Sequence, residues 1–179
     1  MDTTVTIEPA DGRFASAFAG CDFSFEVTIE ALPPFSGPGL GAVAPVEPYM
    51  KSYEADAKEL MDASAEADAA LFTARVDGRL AGYIALSKAW NGFAEVDDIA
   101  VDRAARRAGV AKSLMDQAVA WAKQQDLPGI RLETQSNNVA ACRFYERYGF
   151  ELAGYDRHLY SALKPGTREI ALYWYFRLA

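Results

Sequence analysis

The run Val101-Asp-Arg-Ala-Ala-Arg-Arg-Ala-Gly-Val-Ala-Lys112 carries Arg106-x-x-Gly109-x-Ala111, the residue types of an anion site. It reads as a strand end, a short basic loop and the opening turn of an amphipathic helix. The first amides of a helix have no acceptor within it, and the helix dipole makes that end positive. A pyrophosphate suits such an end. Gly109 and Ala111 allow close approach to the backbone, and Arg106, Arg107 and Lys112 add charge at the rim. The same spacing also describes a solvated basic helix start. Gly-x-x-x-x-Gly-Lys-Ser/Thr is absent, and no Gly-x-Gly-x-x-Gly follows a strand. The ligand is therefore expected to be a phosphate-bearing cofactor outside those two classes.

A second pattern, Asn138-x-x-Ala141-x-x-x-Tyr145-x-x-x-Gly149-Phe150, places Asn138, Ala141 or Cys142, and Tyr145 along one side of a helix. A small residue at 141 lets a ligand or another element pack closely, and Tyr145 offers a phenol hydroxyl. An amphipathic helix with a buried tyrosine has the same pattern.

The elements that must position these groups follow from periodicity. Residues 3–8 and 22–32 alternate apolar and polar side chains as strands do. Prolines and glycines break regular structure from residue 33, and Pro45 and Pro48 are expected to keep it broken. This long segment reads as a substrate-side loop rather than a linker. Residues 49–64 have a helical composition, with Glu54, Asp56, Glu59 and Asp62 as a solvated face. Two apolar runs, 69–76 and 80–87, flank Asp77-Gly78 as a hairpin. A strand is expected over 93–101 and a helix over 110–125, with Val110, Leu114, Ala118 and Trp121 or Ala122 facing the core. A strand at 130–135, a helix at 138–148 stopped by Gly149, and strands at 150–155 and 169–176 complete the set. Strands followed by alternating strands and helices indicate a mixed α/β sheet with helices on its faces.

The 179 residues suffice for one core, so a single domain over 1–179 is expected, with the two motifs at about 94–150. No run of about 18 apolar residues suggests a membrane span. The first residues lack the layout of a signal peptide, and Cys21 and Cys142 are too few for a disulfide scaffold or a metal site. A cytoplasmic location is the simplest expectation. A net charge of −7 argues against a general nucleic-acid binder and is compatible with a cationic substrate. Oligomeric state is left open, a homodimer included.

Together the two motifs resemble the GNAT superfamily of acyl-CoA N-acyltransferases, over about residues 71–150 and the closing strand. The resemblance implies a central mixed, mostly antiparallel sheet flanked by helices, acetyl-CoA as co-substrate and no metal. It implies that Arg106, Arg107, Ala108, Gly109, Val110, Ala111 and Lys112 hold the pyrophosphate. It also implies that Ile99, Ala100 and Val101 pair with the pantetheine arm, and that Asn138, Ala141 and Tyr145 line the cofactor. Gly129-Ile-Arg-Leu-Glu-Thr-Gln-Ser-Asn-Asn-Val-Ala-Ala-Cys142, Gly154-x-Asp156 with Tyr160, Ala171-Leu-Tyr-Trp-Tyr175 and Trp90-Asn91 resemble the streptothricin acetyltransferases within that superfamily. Those enzymes acetylate the β-lysine part of the antibiotic, so a small cationic amine is the implied acceptor. A protein N-terminal acetyltransferase and a non-catalytic acyl-CoA sensor are the alternatives.

Acetyl transfer requires a neutral amine, yet an alkyl ammonium of pKa about 10.4 is protonated at pH 7, so a base is needed. Glu133 is the first candidate. It lies twelve positions before Tyr145, as in ribosomal-protein alanine N-acetyltransferases. Asp97 is the second, placed by period two on the side of Ile99 and Val101. Tyr145 is the expected general acid toward the departing sulfur, since a phenol of pKa about 10 stays protonated at neutral pH. Cys142 lacks a histidine partner and reads as a buried small thiol, and the lone His158 as an incidental loop residue. Trp90, Tyr173, Trp174 and Tyr175 are expected in the core or a pocket wall, where aromatic rings suit a cation.

Overall fold

A computed structural model describes residues 4–179. In chain order the elements are β1 (Val5–Pro9), α1 (Phe14–Phe18), β2 (Phe25–Ala31), β3 (Val43–Lys51), α2 (Ala57–Ala63), β4 (Ala69–Val76), β5 (Arg79–Lys88), β6 (Ala94–Val101), α3 (Val110–Gln124), β7 (Gly129–Gln135), α4 (Val139–Tyr148), β8 (Glu151–Asp156) and β9 (Ala171–Arg177), with one 3-10 turn at Arg103–Ala105. Of the first expected strand, Thr3 lies outside the described residues. The chain forms two compact units, each assembled from separated segments.

The first unit comprises residues up to 25, 52–130 and 178–179. Its strands follow the order β1-β4-β5-β6, and each neighbouring pair is antiparallel. Asp77 and Gly78, with φ of 49° and 77°, make the two-residue turn between β4 and β5, and Val76 pairs with Arg79 across it. Positive φ at both central residues matches the twist of the strands, so the turn fixes the register. Phe14, Leu71, Leu80, Tyr83 and Ala85 form a core cluster, joined by Phe18, Phe23, Leu60 and Met61 from the helical side. On α3 the expected face is buried: Val110, Leu114, Ala118, Trp121 and Ala122, together with Met115. Burying each large apolar side chain of this face contributes about 1.5–3 kcal/mol.

The helix expected over 49–64 is shorter. Tyr49 to Lys51 belong to β3, and α2 begins only after Asp56. The Asp56 carboxylate accepts from the Lys58 and Glu59 amides at 2.8 and 2.9 Å, so a side-chain cap, not composition, sets the start. The short α1 has no signature long enough to be read as a periodic segment.

The second unit comprises residues 26–51 and 131–177. It holds the order β7-β9-β8 and a two-stranded β2-β3 ribbon. The ribbon is a correction to the sequence reading, because Pro45 and Pro48 lie inside β3. A strand in a two-stranded ribbon has only one paired edge, so it tolerates proline better than a central strand does. The 33–42 segment is packed: Phe35 and Leu40 are buried. The Leu40 amide donates to Glu146 of α4 at 2.5 Å, and the Leu152 amide of β8 donates to the Pro38 carbonyl at 2.8 Å. β8 and β9 pair antiparallel, from Glu151 opposite Tyr175 to Asp156 opposite Ala171. Gly149, at φ 116°, ends α4 as expected.

Candidate active site

The N-terminal end of α3, where an anion is expected, has an open helix start. Gly109 sits at its N-terminus in the left-handed region, with φ 78° and ψ 8°, and no side chain caps the helix. The first bond back into the helix is Ser113 N–H to the Gly109 carbonyl at 3.0 Å. The amides ahead of it are the donors that an anion would take. A Cβ at 109 would meet nothing within 4 Å, so the space before these amides is open. Arg107 is exposed and is itself left-handed, with φ 70°. Lys112 is exposed and pairs with Asp116 one turn on, at 2.7 Å. Ala108 and Ala111 are partly buried on either side of the turn. Arg106 does more than supply charge. Its guanidinium donates to the carbonyls of Ser24, Phe23 and Val101 at 2.6, 3.3 and 3.4 Å, which ties the loop to the chain ahead of β2. The open amides, with Arg107 and Lys112 beside them, have the sign that a diphosphate requires.

The strand leading into this loop holds Ile99, Ala100 and Val101, opposite Ile84, Tyr83 and Gly82 of β5. Further back the register slips. Asp98 pairs with Ala85 but Val96 pairs with Leu86, leaving Asp97 as the extra residue of a β-bulge. Strict alternation fails there, so Asp97 does not share the side of Ile99 and Val101. Asp97 and Asp98 instead both line one cavity of about 590 Å³, against α2 and the ends of β4 and β5. Leu60, Ala69, Ala70 and Ala85 give this cavity apolar wall. Glu54, Asp56, Glu59, Glu66, Asp68, Asp97 and Asp98 face it with one cation, Lys88. Glu54, Asp56, Glu59 and Asp62 are exposed, as expected of a solvated face; the first three also line this cavity, and Asp62 pairs with Lys58. Crowding by the protein raises the Asp97 carboxyl above the usual aspartate range, opposed by the Ser87 hydroxyl and reinforced by the charge of Asp98. Asp98 is raised too, by burial, against hydrogen bonds from the Tyr83 hydroxyl and the Ile99 amide.

The second unit carries the other candidates. Tyr145 is 5% exposed, and its ring packs against Phe144, Phe150 and Trp174 with centroids 5.5, 5.6 and 6.4 Å away. Asn138 is the cap of α4, its side-chain oxygen accepting from the Ala141 amide at 3.2 Å. Ala141 is partly buried on the first turn. Glu133, on β7, is exposed and accepts a hydrogen bond from the Tyr160 hydroxyl. On the same face of β7 by alternation, Arg131 lies over the rings of Tyr173 and Tyr175, 5.9 Å from each centroid. Tyr160 as the partner of Glu133 is a contact that chain position alone could not reveal. The same holds for the pairing of Tyr83 with Asp98.

The remaining expectations divide. Cys142 is fully buried, and burial pushes its thiol up to about 12, so it is not an activated nucleophile. His158 lies in an exposed turn, where its amide bonds the Asp156 carboxylate at 2.7 Å. Trp174 is core, but Trp90 is 92% exposed on the β5–β6 turn, a correction to its expected place in a wall. Among the described residues no cluster of His, Cys, Asp and Glu could hold a metal. No helix among them is long and apolar enough to cross a membrane.

The chain is similar to known proteins. A family model described as the acetyltransferase (GNAT) family matches residues 34–150. A streptothricin acetyltransferase from Escherichia coli is 40% identical over 131 residues, covering 73% of this chain and 72% of the relative. Streptothricin acetyltransferase A from Bacillus subtilis is 37% identical over 131 residues, covering 73% and 75%. The crystal structure of a Bacillus anthracis protein in complex with acetyl coenzyme A superposes with a TM-score of 0.88 at 35% identity, covering 98% of this chain and 100% of that one.

Proposed function

The chain belongs to the GNAT acetyltransferase family and is an acetyl-CoA-dependent N-acetyltransferase; from that premise we propose that its acceptor is a primary amine of a cationic antibiotic, the β-lysine part of streptothricin. The reading is carried by the cavity beside the β6 bulge, where seven carboxylates outnumber a single lysine. Such a wall concentrates ammonium groups and excludes anions. Acetyl-CoA supplies the activated acyl group. The uncapped amides of α3, with Arg107 and Lys112, are the proposed grip on its diphosphate. The two units are proposed to act as one acetyltransferase domain, in the cytoplasm where acetyl-CoA is made available.

Asp97 is the favoured base. It lines the acidic cavity, and a carboxyl raised above its ordinary value is a better proton acceptor for an ammonium than an unperturbed one. The amine gives one proton to the Asp97 carboxylate, the freed nitrogen lone pair attacks the thioester carbonyl, and the C–S bond breaks as the adduct collapses and the nitrogen loses its second proton, through water, to the phenolate left at Tyr145. Tyr145 is proposed to donate a proton to the departing sulfur. Glu133, which accepts from the Tyr160 hydroxyl, is the competing base.

The test supplies acetyl-CoA with streptothricin, or with a ribosomal peptide bearing a free N-terminal alanine, and reads released coenzyme A. Faster turnover of the antibiotic is expected. Preference for the peptide would make the protein an N-terminal acetyltransferase. Binding of acetyl-CoA without turnover of either amine would favour the sensor.

A further inference from the structure

We propose that Asp98, fixed by the hydroxyl of Tyr83, is a positioning residue that holds the bulge carboxylate of Asp97 against the cavity and directs the pair's shared proton to it. The inference rests on the reading of Asp97 as the base and says what makes it one.

Tyr83 is 1% exposed, and its ring is clamped by Phe14, Phe18 and Phe23 at centroid distances of 5.7, 5.7 and 5.4 Å. A phenol packed on three sides cannot swing away. Its hydroxyl donates to Asp98 Oδ2 at 2.6 Å, so the Asp98 carboxylate is immobile as well. Asp98 is the last residue in register before the bulge, opposite Ala85. Fixing it fixes the chain from which Asp97 projects. A register slip leaves backbone amides unpaired and free to adjust, and the phenol restrains it from the side.

The electrostatics point the same way. Two adjacent carboxylates facing one partly enclosed space resist being ionised together. Two hydrogen bonds, from the Tyr83 hydroxyl and the Ile99 amide, favour the charged form of Asp98, against one from the Ser87 hydroxyl to Asp97, so an incoming proton settles on Asp97. That is where a proton taken from an ammonium in the cavity should arrive. The other titratable groups facing this space are Glu54, Asp56 and Glu59 beside α2, Glu66 and Asp68 ahead of β4, and Lys88 ending β5. They act as a common background in each variant below, so differences between variants report the pair.

The experiment is the pH profile of kcat/KM for the amine in wild type, Asp98→Asn, Tyr83→Phe and Asp97→Asn, with the Asp97 carboxyl carbon titrated by NMR in the free protein. In Asp98→Asn the acidic limb, and the Asp97 titration with it, should move to lower pH, because the neighbouring negative charge is gone. Tyr83→Phe should move both in the same direction by less. An Asp98 without its phenol takes the shared proton first and leaves Asp97 ionised. Acetyl-CoA affinity should stay within about threefold in both, since neither residue belongs to the diphosphate loop. A lower rate with both midpoints unmoved in the two variants would make Asp98 merely structural and overturn the inference. Survival of the acidic limb in Asp97→Asn would instead sink the reading of the base. Loss of the limb there, with no shift in Asp98→Asn or Tyr83→Phe, would sink this inference alone.

Discussion

At position 109 there is space for a side chain but no suitable backbone. The left-handed φ of 78° costs a non-glycine residue about 1–2 kcal/mol, and a β-branched one more. Gly109→Val should therefore weaken acetyl-CoA binding by tenfold or more in calorimetry, and unchanged affinity would count against the loop as the diphosphate site. Tyr145→Phe keeps the ring among Phe144, Phe150 and Trp174 and removes only the hydroxyl. Turnover should fall by about a hundredfold, the lower range for a lost acid, with acetyl-CoA affinity nearly unchanged. Wild-type turnover would remove its acid role. Both residues were legible from spacing alone, because a helix start and a helix face repeat at fixed intervals. Asp97 was read as the second candidate base, on the side of Ile99 and Val101. Its facing was misassigned, because counting by two does not survive a bulge.

Elements with strong local signals appear where the sequence put them. The β4–β5 hairpin, α3, β7 and α4 combine clear periodicity with a turn or stop residue at the boundary. β3 was hidden because proline counts against strands, and only the pairing with β2 reveals it. The start of α2 was placed too early because Tyr49 to Lys51 have acceptable helix propensity. Asp56 offers the cap that decides otherwise. Asp56→Ala should cost about 1 kcal/mol in denaturant unfolding. Because α2 walls the acidic cavity, the same change should raise KM for the amine more than it lowers kcat. An unchanged KM would separate the cavity from the acceptor.

At the scale of the whole molecule, charge placement matters more than net charge. Glu169 is nearly buried and pairs with Lys51 at 2.7 Å and Lys164 at 3.2 Å, while Asn137 Nδ2 donates to it at 3.0 Å. Burial pulls its carboxyl up, but the two lysines outweigh that and hold it below the ordinary glutamate value of 4.5. A lowered carboxyl stabilises the folded state above its unfolded value, and that contribution is lost as the pH falls through the folded one. Glu169→Gln should thus destabilise the protein by about 2 kcal/mol at pH 7, since Lys51 keeps little solvent, and by progressively less below pH 4.5. Equal loss at both ends of that range would show packing rather than charge. The sequence by itself determined the glycine-led start of α3, the Asn138 to Tyr145 helix and the order of the main elements along the chain, because each depends on contacts among near neighbours in the chain. Only the tertiary structure decided that acidic residues from 54 to 98 share a cavity, that Tyr83 grips Asp98, and that Tyr160 grips Glu133. Those groups are joined by strand register and loop packing across long stretches of chain, and no local spacing encodes them.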